Sequence, residues 1–195
     1  MFEQLFRSIA QVVTLTGEES EYCRSRFVPK KLRKRQYLLQ EGDVCRHTVF
    51  VEKGLLRSYT VDEKGSEHIL QFAFEGWWMA DLYSFFTNEP SPYHMDALED
   101  SELLMIDRES WDDLLEHVPV MERYFRILIQ NNLIATQRRL MGTMSETAEE
   151  KYLKLTQNFP EFIQRVPQHM IASYLGMTRE TLSRTRGQMA NRKEG

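Results

Sequence analysis

Arg179, Glu180 and Arg184 have the types and spacing to read the hydrogen-bonding edges of another molecule. In a helix, positions 180 and 184 lie one turn apart on one face, with 179 beside them. A guanidinium donates two bonds in a rigid fork and a carboxylate only accepts, which suits guanine and cytosine edges respectively. Thr178, just before them, is an N-cap residue type, and Ser183 adds a hydroxyl to the same helix. Arg192 and Lys193 follow, cations suited to phosphates rather than bases. Upstream, Ala172 is the small residue needed where two helices cross, and Gly176, four positions on, suits the tight turn between them. Ile171, Leu175, Met177 and Leu182 then face a small shared core. The pattern is a helix, a turn and a second helix that displays Thr178, Arg179, Glu180, Ser183 and Arg184.

Charge is distributed to match. The chain carries a formal −4 over 195 residues, yet 165–195 hold six basic residues against two acidic ones, leaving −8 on the first 164. An acidic body with a basic end is the footprint of a nucleic-acid-reading appendage.

The body must position that appendage. Between 26 and 107 the chain reads as short strands parted by turns: 36–40 closed by Glu41-Gly42-Asp43, 48–51 closed by Lys53-Gly54, and 55–61 with Arg57 and Tyr59 alternating with apolar neighbours. After Asp62-Glu63-Lys64-Gly65 come 67–74, 93–98 and 102–106. Such strands imply an antiparallel roll of jelly-roll type. Their rhythm breaks between 76 and 92, and binding sites favour such irregular segments. The basic run from Lys30 to Arg35 reads as a solvated edge guarding a strand.

From Glu109 the period changes to 3.6. A short helix ends before Pro119, and a longer one spans about 120–141 until Gly142-Thr143 breaks it. Val120, Tyr124, Ile127, Asn131, Ile134, Arg138 and Met141 form one stripe along it, and Met121, Phe125, Leu128 and Ala135 a second. A helix apolar on two sides at first and one side later packs on the roll and then on another chain. Thr147 and Glu150 have capping-box spacing for the next helix. The expected fold is α+β: an antiparallel β-roll with flanking helices over 1–118, a dimerisation helix over 119–142, and a small helical domain over 143–195.

Other classes find little support. No apolar run approaches the roughly 20 residues of a membrane span, and Met1 to Val13 reads as an amphipathic helix rather than a secretory leader, so a cytoplasmic location is expected. Cys23 and Cys45 lack the spacing of a disulfide framework, an iron-sulfur cluster or a metal site, and no cofactor is indicated. His47, His68 and His94 stand singly, which argues against a cupin-like metalloenzyme, and no catalytic triad is identifiable, so no enzyme is expected.

The whole chain resembles the Crp/Fnr family of bacterial transcription regulators. The resemblance rests on Leu39-Gln-Glu-Gly-Asp43, Phe50-Val-Glu-Lys-Gly54 and Arg57 in the roll, and on Leu175-Gly-Met-Thr-Arg-Glu-Thr-Leu-Ser-Arg184 near the end. It implies a cyclic-nucleotide-binding-like roll, a homodimer, double-stranded DNA and RNA polymerase as partners, and base contacts from Arg179, Glu180 and Arg184. Three departures follow. The sequence ends about one turn past the second helix, so the β-hairpin wing of some relatives is expected to be absent. Thr185 stands where the family is apolar. Family members that bind cyclic AMP carry Gly-Glu-Leu and then Arg-Ser or Arg-Thr; here these read Ala80-Asp81-Leu82 and Ser91-Pro92, so the cation for the cyclic phosphate is missing. A pocket at Arg57, Asp81, Leu82, Ser91 and Tyr93 is expected to hold an unidentified small-molecule effector other than cyclic AMP. The rival reading is a sensor or protein-interaction module that does not bind DNA.

Overall fold

The computed structural model describes residues 1–191. Its first helix, α1 (Glu3–Ala10), buries Leu5 and Ile9. A second helix absent from the sequence reading, α2 (Gly17–Ser25), starts at a capping box in which the Thr16 hydroxyl accepts from the Glu19 N–H while the Glu19 carboxylate accepts from the Thr16 N–H.

Eight strands follow: β1 (Val28–Leu32), β2 (Tyr37–Leu39), β3 (His47–Lys53), β4 (Leu56–Val61), β5 (Glu67–Ala73), β6 (Trp78–Met79), β7 (His94–Ala97) and β8 (Ser101–Asp107). They form two four-stranded sheets, ordered β1-β8-β3-β6 and β2-β7-β4-β5, with antiparallel pairing throughout the registered ladders. This is the jelly-roll-like architecture that the turn spacing implies. Between β6 and β7 the irregular stretch contains a short helix, α3 (Leu82–Thr87), capped by Asp81. Strand β1 takes up part of the basic run, and its exposed Lys30 and Lys31 lie on a sheet edge, where charge discourages pairing with another chain.

Strand β3 is enclosed on both faces from Thr48 to Glu52, which explains its nearly continuous apolar run. Glu52 is tolerated there because its carboxylate accepts from the N–H groups of Leu5, at 2.8 Å, and Gln4, at 3.3 Å. These first-turn donors of α1 have no partner within their own helix.

The helical part comprises α4 (Arg108–His117), α5 (Val120–Ser145), α6 (Ala148–Asn158), α7 (Glu161–Arg165), α8 (Gln168–Tyr174) and α9 (Arg179–Asn191). The expected break at Gly142-Thr143 does not occur. The Glu146 N–H donates to the Gly142 carbonyl at 3.0 Å, and the Thr143 and Ser145 hydroxyls bond back to the carbonyls of Arg139 and Met141. A helix-interior glycine costs only about 1 kcal/mol relative to alanine, so it weakens a helix without ending it. The Thr147–Glu150 capping box then forms, and α6 begins there. The chain divides into two compact units, one of Met1–Thr60 with Leu70–Gln130, the other of Val61–Ile69 with the chain from Asn131 onward.

Gly54 ends the β3 turn with φ +99, and a Cβ there would run into the Ser101 hydroxyl and sit 2.8 Å from both the Asp100 carbonyl oxygen and Ser101 Cα. The left-handed backbone and the lack of space both demand glycine. Gly54→Ala should therefore lower unfolding free energy by about 1–3 kcal/mol. Urea denaturation followed by fluorescence measures this, and an unchanged midpoint would show that the turn relaxes.

Candidate nucleic-acid interface and effector pocket

The second unit builds the paired helices from a small apolar centre. Tyr152 and Leu155 of α6, Phe162 of α7, Val166, Ile171 and Ala172 of α8, Leu175, and Leu182 and Thr185 of α9 are all buried, whereas Met177 is half-buried. Gly176, at φ +66, reverses the chain between α8 and α9, with its own N–H donating to the Ser173 carbonyl and that of Met177 to the Ala172 carbonyl, both at 3.0 Å. These bonds satisfy the last carbonyls of α8, in the manner of a left-handed helix cap. The Thr178 hydroxyl accepts from the Thr181 N–H at 3.2 Å, so Thr178 is the cap that starts α9.

Thr178, Arg179, Glu180, Ser183 and Arg184 are all exposed on this helix start. Among the described residues, neither Arg179 nor Arg184 is held in an ion pair. Glu180 is held below the usual carboxylate range by its own backbone N–H and by the Thr178 hydroxyl, with Arg179 and Arg184 adding to the effect. It is ionised at neutral pH and can only accept. Arg192 and Lys193 lie outside the described residues.

One contact of this unit has no precedent in the sequence pattern. The Ser173 hydroxyl of α8 donates to the Glu67 carbonyl at 3.0 Å and accepts from the Ile69 N–H at 2.9 Å. Strand β5 is the last in its sheet, so these groups belong to an open edge.

Along α5 the proposed stripe divides. Tyr124 is fully buried, its hydroxyl 2.9 Å from that of Ser8 and accepting from the Trp78 indole N–H at 3.1 Å. It belongs to its own roll core and is removed from the dimerisation stripe. Ile127 is half-buried, and Asn131, Ile134 and Arg138 are exposed. Leu133, Leu140, Met141 and Met144 are also more than half exposed, at 55–81%. Of these four, the stripe reading named Met141 alone.

Several polar groups expected to line the pocket bond to one another. Asp81 is buried; one carboxylate oxygen accepts from the Ser84 N–H at 3.2 Å and the other from the Ser91 hydroxyl at 2.7 Å. Ser91 in turn accepts from the Tyr93 N–H at 3.1 Å. Leu82 is exposed and does not line an interior. Arg57 is not beside these groups in function: it makes a buried two-pronged pair with Asp96, at 2.7 and 3.0 Å, and lies 4.0 Å over the Tyr59 ring. The register pairs Arg57 with Asp96 and Tyr59 with His94 on one face, while Leu56, Ser58, Met95 and Ala97 share the other. Leu56, Met95 and Ala97 belong to the roll core, so Arg57 faces away from it. Arg57, expected among the pocket residues, is thus engaged with Asp96 instead.

Neither cysteine is a nucleophile. Burial pushes the Cys23 thiol up to about 12, and burial likewise raises Cys45. Among the described residues no group of three or more His, Cys, Asp or Glu converges as a ligand set, and no helix is long and apolar enough to cross a membrane.

Comparison with known proteins bears on these sites. The cyclic nucleotide-binding domain family matches residues 29–118. The chain is 30% identical over 171 residues to the fumarate and nitrate reduction regulatory protein of Vibrio cholerae, covering 81% of this chain and 67% of that one. It is 29% identical over 171 residues to regulatory protein HlyX of Actinobacillus pleuropneumoniae, covering 81% and 70%. The structure of FixK2 from Bradyrhizobium japonicum shares the fold, with a TM-score of 0.70 at 19% identity over 86% of each chain. The relatives similar in sequence are named as regulatory proteins, not enzymes.

Proposed function

The chain belongs to the Crp/Fnr family of transcription regulators, and from that premise we propose that it is a homodimer that binds double-stranded DNA sequence-specifically by seating α9 in the major groove. The observation that carries this reading is the exposed helix start: Arg179, Glu180, Ser183 and Arg184 project from a capped N-terminus, and among the described residues no ion pair occupies either arginine. A recognition helix contacts base edges with its first turns. Arg179 and Arg184 serve as guanine readers and Glu180 as an acceptor from cytosine, while Thr178 and Ser183 bond nearby and Arg192 and Lys193 engage phosphates. RNA polymerase is the partner on which such a regulator acts.

Two copies are joined along α5. Reading paired half-sites requires two recognition helices roughly 34 Å apart, and the exposed Ile134, Leu133, Leu140 and Met141 supply the apolar surface for the joint. Ile127, Asn131 and Arg138 complete the stripe.

The effector is not cyclic AMP. Both Asp81 oxygens already have protein partners, Ser91 and Pro92 supply no cation, and Arg57 is spent on Asp96. Burying a cyclic phosphate without a paired cation costs several kcal/mol, enough to turn a micromolar site into a millimolar one.

Selection from a random DNA pool should yield a paired-half-site operator. On it, Arg184→Ala should cost about 1–3 kcal/mol and relax preference at one base pair; a loss that is uniform across sequences would instead make Arg184 a phosphate contact. Ile134→Glu combined with Leu140→Glu should give folded monomers in sedimentation, with an unaltered circular dichroism spectrum. A wild-type protein that sediments as a monomer at micromolar concentration would refute the joint. Calorimetric titration with cyclic AMP should show no binding in the low micromolar range, and such binding, abolished by Asp81→Ala, would reinstate the pocket.

A further inference from the structure

The third turn of α9 contains Gly187. Only proline is a poorer residue in a helix interior, and the usual reasons for tolerating glycine are missing here. Its φ is not positive, unlike that of Gly54 or Gly176. A Cβ built on it meets nothing within 4 Å. Neither backbone conformation nor packing among the described residues accounts for the choice.

Its position on the helix suggests another reason. Gly187 is exposed and lies three residues after Arg184, four after Ser183 and seven after Glu180, on the face those side chains share. We propose that Gly187 is a clearance position, where the backbone of α9 comes into van der Waals contact with bound DNA and no side chain can be accommodated. The inference rests on the reading of α9 as the groove-seated helix and adds a determinant of how deeply it sits. A helix with its side chains is about 10–12 Å across and the major groove about 12 Å wide, so the fit leaves little room. Hydrogen bonds from Arg179 and Arg184 tolerate displacements of only a few tenths of an ångström before they weaken. A methyl group at 187 would lift the helix and stretch those bonds without touching either arginine.

The test compares wild type, Gly187→Ala and Gly187→Leu as full chains on an operator selected with the wild-type protein, alongside thermal unfolding. Alanine is the better helix former, so Gly187→Ala should unfold at a temperature no lower than wild type while losing about tenfold in affinity, and Gly187→Leu should lose more. This divergence between stability and affinity, graded by side-chain size, is the expected result. An alanine variant that binds as tightly as wild type overturns the inference and leaves the DNA-binding reading standing. Equal losses for alanine and leucine also overturn it, because they would point to backbone flexibility rather than clearance. If the wild-type protein selects no DNA, the reading of α9 fails and the inference fails with it.

Discussion

The structure depends on one helix meeting two environments. In its first turns α5 buries Met121, Tyr124 and Phe125 in the roll core, and beyond Ile127 it leaves leucine, isoleucine and methionine bare. The buried end is secured by polar as well as apolar contact: the Trp78 indole N–H and the Ser8 hydroxyl both meet the Tyr124 hydroxyl, so neither aromatic carries an unsatisfied polar atom into the core. The rings of Trp111 and Phe125 stand 3.9 Å apart between centroids, and Trp78 packs edge-on against Phe125 at 5.4 Å. An isolated helix gains little from propensity alone, and this anchored end holds the rest of α5 helical through Gly142. The bare apolar surface that results is the one the proposed joint between two copies covers.

How much of this was legible in the sequence depended on whether the signal was local. The turns at Gly42, Gly54 and Gly65 gave the strands, and Thr147-x-x-Glu150 and the Gly176 turn gave helix boundaries, because each is decided by a few neighbouring residues. Strand β1 was hidden because an edge strand guarded by lysines has no apolar alternation. Tyr124 was misassigned because a helix apolar on two faces does not say which face turns inward. The alternation of Arg57 with its neighbours was correct, but period two does not name the face, and that awaited the register with Asp96 and Met95. The Ser173 bond to the β5 edge joins positions 104 residues apart and has no spacing signature.

In the roll, the polar groups of the 81–93 loop bond to one another. Asp81 caps α3 and accepts from the Ser91 hydroxyl. Each polar group in this loop thereby gains a partner, and Ser84 ties the Cys45 N–H to the Glu89 carbonyl in the same way. A ligand reaching Asp81 would have to replace these bonds with equally good ones, since a buried donor or acceptor left unpaired costs about 1–3 kcal/mol. The hydrogen bonds among Asp81, Ser84, Ser91 and Tyr93 hold this loop together.

The charge distribution gives the recognition helix its discriminating character. Non-specific DNA affinity grows with the number of phosphates neutralised, and here a net −8 on the first 164 residues opposes the basic end. Affinity in the proposed complex must therefore come from direct contacts. Glu180 sharpens that requirement, because an exposed carboxylate at the helix start is ionised at neutral pH and can only accept. A fixed carboxylate in a groove lined by phosphates is repelled unless a base amino group faces it. It thus adds little to binding at the correct site and subtracts from binding elsewhere, so discrimination arises from what the wrong sequence cannot satisfy. Arg179 and Arg184 supply the attraction that offsets such a penalty, and among the described residues neither is held in an ion pair.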